Sequence, residues 1–168
     1  MVLGGGGDGM NGGLVPLMLL SATIGLMLAF VSTRSAWLAL AVFAIAAFLG
    51  WAVPLGLSPQ LIFSALWVSA IMAAILVYVP VARSWLAVLP LCVNAGYWLG
   101  ACAALSGNFA VLALGFLPAL IVIPAKWLTQ RKFDIVIKVV ASWMIAIASL
   151  SLFVSLIPTP GYKPDHME

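Results

Sequence analysis

Residues 32–57 read STRSAWLALAVFAIAAFLGWAVPLGL. Arg34 sits in a short polar break, and from Ala36 to Leu57 no side chain carries a charge. A helix needs about 20 apolar residues to cross the hydrocarbon core of a bilayer. The stretch is apolar all round, without the polar–apolar alternation of a barrel strand. In lipid its backbone groups must bond to one another, so it reads as a transmembrane helix.

The same pattern recurs along the chain. Spans are predicted at Leu14–Val31, Ala36–Leu57, Leu61–Val81, Trp85–Leu105, Phe109–Leu128 and Ile135–Ile157. The breaks between them are short: Ser32–Ser35, Ser58–Gln60, Ala82–Ser84, Ser106–Asn108 and Thr129–Asp134. Each holds turn formers, a charge, or both. Connections this short make consecutive helices antiparallel neighbours. The expected fold is an all-α, polytopic membrane helix bundle of six transmembrane helices, arranged as three antiparallel hairpins. A Gly-rich tail, residues 1–13, precedes the 14–157 membrane domain, and a short tail, 158–168, follows it. The first tail lacks Lys and Arg, so it has no positive n-region of a signal peptide and is expected to be flexible.

Composition points the same way. Of 168 residues, 65% are hydrophobic and 7% charged, and the mean hydropathy is +1.26. Soluble domains carry about 25% charged residues. This chain has too few polar residues to cover a water-facing exterior, which excludes a soluble enzyme, a nucleic-acid binder and a disordered chain. The pI near 9.1 rests on seven cations against four anions and marks no nucleic-acid partner.

The cations set an orientation. Arg34 and Arg83 fall in the first and third breaks, and Lys126, Arg131, Lys132 and Lys138 lie in or beside the fifth. The second and fourth breaks have none, and the tails hold only Lys163. By the positive-inside rule the odd-numbered turns are cytoplasmic and both termini face outward. Trp37, Trp85 and Trp127 suit an interfacial belt at the cytoplasmic ends, and Trp51 one near an outer end. Trp67, Trp98 and Trp143 lie deeper, where they are expected to pack between helices or against a partner.

The first and third breaks read TRSAWLAL and ARSWLAVL, and each is followed by an LG pair, Leu49–Gly50 and Leu99–Gly100. Two spans and two short loops return the chain to the same side, so the match fits either a duplicated hairpin or the positive-inside rule alone.

The membrane interior offers little chemistry. No Asp, Glu or His lies inside a span, and the sole histidine is His166. Haem ligation by paired histidines, a His–carboxylate metal site, a carboxylate proton relay and a Ser–His nucleophile all lack their residues. No catalytic residue, cofactor or metal is expected. Cys92 and Cys102 lie ten residues apart, too far along one helix for a disulfide, and read as small hydrophobes.

Two features remain. On the fourth span Asn94, Gly96, Tyr97, Gly100 and Ala104 form a candidate seam for a helix or a partner chain. Gly96 and Gly100 make a GxxxG that lets backbones approach closely. Asn94 is the costliest polar group inside a span, and Pro90 frees the Leu86 carbonyl one turn earlier. Asn94 could satisfy a freed backbone group on a neighbour or line a narrow polar path. Similar stripes occur at Ser21–Gly25–Ala29 and Ala65–Ser69–Ala73. The second feature is a cytoplasmic basic patch of Lys126, Arg131, Lys132 and Lys138, with membrane lipids, or an acidic face on another protein, as partner.

Taken together, these features read as a non-catalytic integral membrane subunit, or an assembly factor, of a larger bacterial inner-membrane complex. Other membrane subunits, or further copies of the chain, are the expected partners, and nucleic acid is not. The alternatives are a small channel or facilitator for a neutral solute, and a subunit that binds lipids or pigments. In span number, orientation and length the chain resembles the small urea and amide channels, a resemblance of architecture that implies the channel reading and assigns no residue.

Overall fold

Short polar breaks start the helices. Ser32 Oγ accepts the Ser35 N–H at 3.3 Å and opens α2, Thr33–Ala52. Ser58 Oγ accepts the Leu61 N–H at 3.5 Å and opens α3, Pro59–Leu76, with Pro59 in the first turn. Asn108 Oδ1 accepts the Ala110 N–H at 2.9 Å and opens α5, Phe109–Phe116. Each cap satisfies a backbone donor that the first helical turn leaves open. The remaining helices are α1, Asp8–Leu28; α4, Trp85–Leu105; α6, Val122–Gln130; and α7, Asp134–Leu156. A 3-10 segment, Leu117–Ile121, joins α5 to α6.

This computed structural model describes residues 8–53, 56–79 and 84–156. Among them the chain is helical, without a strand. The Arg83 position, the C-terminal tail with Lys163 and His166, and the first seven residues lie outside them. Five stretches are long and apolar enough to cross a membrane: Thr33–Ala52, Pro59–Leu76, Ala87–Leu105, Phe109–Gln130 and Asp134–Val154.

Several boundaries differ from the sequence reading. α4 matches it at both ends. α2 begins three residues early, at its Ser32 cap, and stops at Ala52. Val53, which precedes Pro54, has left helical geometry with φ −126° and ψ 73°, as the crowding by a following proline requires. α1 starts at Asp8 rather than Leu14, so its backbone runs through the end of the Gly-rich stretch that was expected to be flexible. Once a helix is nucleated, each added residue contributes a hydrogen bond without a new nucleation cost. At its other end α1 stops at Leu28, and one tighter turn follows, with Ala29, Phe30 and Val31 N–H donating to Leu26, Met27 and Leu28. The apolar part of α1 is therefore Leu14–Leu28, shorter than the predicted span.

The prolines of the fifth stretch act differently from each other. Pro118 has no N–H for the Leu114 carbonyl and crowds it, and the α-helix gives way to the 3-10 segment there. Pro124 falls in the first turn of α6, where its missing N–H is not needed.

The core forms around α1. Every residue from Ser21 to Ala29 is buried, and α1 packs against α3, α4, α5, α6 and α7. The polar groups of this buried stretch are satisfied within the helix: Ser21 Oγ donates to the Leu17 carbonyl at 3.0 Å and Thr23 Oγ1 to that of Leu20 at 2.7 Å. Gly25 faces the 3-10 segment, where an added Cβ would come within 2.6 Å of the Ala119 carbonyl oxygen. α7 is the opposite case. Its outward face exposes Ile135, Val139, Trp143, Leu150 and Val154. Trp67 is buried, as expected of a deep tryptophan, whereas Trp143 is 70% exposed on that open face of α7.

Candidate functional site

The GxxxG on α4 meets α2. A Cβ on Gly96 would strike the Phe43 carbonyl oxygen, and one on Gly100 would strike the Ala47 carbonyl oxygen and the Trp51 nitrogen. Residue numbers rise together along both helices, so α2 and α4 run parallel. Gly50 answers from the α2 side, where an added Cβ would strike the Tyr97 carbonyl and crowd the Ala101 nitrogen. The repeated LG pairs of the sequence thus supply glycines to both sides of one seam. At its end Tyr97 is half-buried, and its hydroxyl donates to the Val53 carbonyl at 3.1 Å, satisfying an acceptor where α2 ends. Ala104 is half-buried one turn beyond Gly100. Phe43 stacks on Phe116 with ring centroids 5.6 Å apart, tying the seam to α5.

Asn94 belongs to a different face. Its Nδ2 donates to Ser69 Oγ on α3 at 2.7 Å, and its Oδ1 accepts the Trp98 indole N–H at 3.0 Å. Ser69 in turn donates to the Ala65 carbonyl at 2.8 Å. The amide therefore binds side chains of α3 and α4 and not a backbone group freed by proline. Ser69 is buried, but Asn94 is exposed on the outer surface of the bundle. So the five seam residues do not act together: Gly96 and Gly100 close α2 onto α4, while Asn94 looks outward. Ser69 and Gly50 were not singled out as partners in the sequence. The LG repeat was the available signal for Gly50, and a small-residue stripe the signal for Ser69.

The four cations of the basic patch also separate. Lys126 is half-buried, and its Nζ donates to the Val31 carbonyl at 2.6 Å, across 95 residues of sequence. Arg131 lies over the Trp127 ring, 4.1 Å from its centroid. Lys132 is exposed and holds φ at 63°, left-handed backbone in the turn after α6. Around it the Phe133 N–H donates to the Leu128 carbonyl and the Lys132 N–H to that of Thr129, a Schellman closure with lysine where glycine is usual. Lys138 is exposed, and its carbonyl accepts the Tyr78 hydroxyl from the turn after α3. These contacts bring the turns after α1, α3 and α6 to one end of the bundle.

Chemistry-bearing side chains are otherwise sparse. Cys92 and Cys102 are buried and unpaired. Among the described residues no three His, Cys, Asp or Glu side chains gather where a metal ion could be held. Nothing at these sites therefore ties the chain to a known chemistry. No family model, curated protein or solved structure matches the chain. The resemblance to urea and amide channels thus rests on architecture alone.

Proposed function

We propose that the chain is a non-catalytic subunit or assembly factor of a larger complex in a bacterial inner membrane. Asn94 carries this reading. It is the tenth of the 21 residues of α4, which puts it near the middle of a span, and it is exposed. Its two hydrogen bonds leave an amide hydrogen and a lone pair over. Hydrocarbon offers neither of them a partner, whereas a polar side chain on a neighbouring membrane helix offers both. The open apolar face of α7, with Trp143 at its middle, adds a second surface of the kind a subunit presents.

Such hydrogen bonds average only about 0.6 kcal/mol, so Asn94 would select a partner more than hold it. With Asn94→Leu we expect the purified chain to keep its stability within about 1 kcal/mol, because the replacement removes the polar group along with its need for a partner. The same change should deplete the protein that copurifies in mild detergent. A photo-crosslinker at Val93, 48% exposed beside Asn94, should give one discrete protein adduct, and one at Ile45, 61% exposed on α2, should give lipid adducts only. A partner-free chain whose reconstituted vesicles pass a neutral solute, and stop passing it with Asn94→Leu, would replace this reading with a channel.

In the same proposal six spans form three antiparallel hairpins with both termini outside. The support is the gathering of Arg34, Lys126, Arg131, Lys132 and Lys138 toward one end and the positive-inside rule. α1 is the unusual span, with a short apolar part, but it is wrapped by other helices and needs little lipid-facing surface. Cysteines placed at Asp8 and His166 should react with an impermeant maleimide from outside the cell. The buried native cysteines give little background. Labelling of either position from the cytoplasmic face alone would discard the orientation.

A further inference from the structure

Among the four cations of the basic patch, Lys126 lines a groove. The groove lies between the start of α2 and the end of α6, holds about 220 Å³, and is walled by Thr33, Trp37, Ile123, Lys126, Trp127 and Gln130. Its polar lining is a hydroxyl, a carboxamide and an ammonium, from Thr33, Gln130 and Lys126. Lys126 spends one of its three N–H groups on the Val31 carbonyl, which holds the side chain in place and leaves two donors. Arg131 adds a second positive charge, held over the Trp127 wall. An anion is the ligand this charge fits.

The rest of the wall says what kind of anion. Trp37 and Trp127 are about half exposed, at the end of the bundle where the cationic turns gather, a setting typical of the membrane–water interface. From the groove an outward apolar stripe runs along the fifth stretch through Trp127, Ile123, Leu120 and Leu117. A free inorganic ion makes no use of that stripe. A molecule with an anionic head at the interface and an acyl chain below it uses both.

We propose that this groove binds the phosphodiester headgroup of an anionic membrane lipid, with Lys126 as its principal charge contact and an acyl chain lying along Ile123 and Leu120. The lipid would thus bridge the ends of α2 and α6, which are far apart in sequence. This is separate from the Asn94 face and does not depend on the subunit reading.

The test uses the full chain in neutral detergent, titrated with phosphatidylglycerol or phosphatidylcholine and read by native mass spectrometry. The wild type should retain phosphatidylglycerol in preference to phosphatidylcholine. Lys126→Gln should lower that preference roughly fivefold, the scale of one basic residue at an anionic surface. Lys132→Gln removes the same charge from the exposed turn and should leave it unchanged. Lys126→Arg keeps the charge and should keep the binding. Ile123→Trp, which narrows the groove and leaves every cation in place, should repeat the loss even if Lys126→Gln weakens the fold. Equal losses from Lys126→Gln and Lys132→Gln would mean a diffuse charge effect and overturn the site. So would the absence of any lipid preference, or displacement of the lipid by millimolar inorganic phosphate.

Discussion

Gly100→Leu is expected to destabilise the bundle by about 3 kcal/mol, the upper part of the usual range for overpacking. The new side chain has no side chain in front of it that could turn away. It meets the Ala47 carbonyl and the Trp51 nitrogen, both in the backbone of α2. Relief requires α2 to move as a body, and that also opens the contacts at Gly96 and Gly50. Reversible unfolding in mixed micelles, followed by tryptophan fluorescence, gives the comparison. Gly115→Ala is the control, because the atoms nearest its Cβ belong to the Leu17 side chain, at 3.2 Å, and not to a backbone. If Gly100→Leu unfolds with the wild type, α2 and α4 do not meet through this seam.

Phe43→Ala probes the same seam by removing volume. Phe43 is fully buried and stacks on Phe116. In water-soluble cores Phe→Ala costs about 3–5 kcal/mol, the sum of a transfer term and a cavity term. In a bilayer the transfer term largely drops out, because lipid tails accept apolar side chains as well as a protein interior does. The cavity term remains, since the lost contacts with Phe116 and the α2–α4 seam are not replaced. About 2 kcal/mol of destabilisation is therefore expected, measured in the same micelle assay. Phe48→Ala, at a site 54% exposed, should cost much less, because lipid can fill the space. Equal losses at the two positions would mean that Phe43 does not sit in a closed core.

These two residues also mark the limit of what could be read in advance. The Gly96–Gly100 motif was legible as a place of close approach, because small residues at four-residue spacing expose backbone whatever the partner. Its partner was not legible. Every helix here offers an apolar surface, and hydropathy cannot rank one against another. Phe43 looked no different from Phe48 until α4 and α5 lay on one side of α2.

The polar residues divide in the same way. Asn94 stood out because an amide inside a span is costly, but its bond to Ser69 crosses 25 residues and two helices. The four cations near the fifth break were equivalent in sequence. Lys126 became distinct when the turn after α1 brought the Val31 carbonyl within reach.

The sequence by itself determined the helical class, the place of most helices and the runs long and apolar enough to cross a membrane. In lipid a backbone must bond to itself, and the signals for starting and stopping a helix are local: Ser32, Ser58 and Asn108 as caps, Pro54 and Pro118 as breaks. Only the tertiary structure decided that α1, with the shortest apolar run, is the buried centre. It also decided that the glycines of α4 close on α2, and that Asn94 is left on the surface. Those outcomes depend on shape complementarity among equally apolar helices, which is a property of the assembled surfaces and leaves no polarity pattern along the chain.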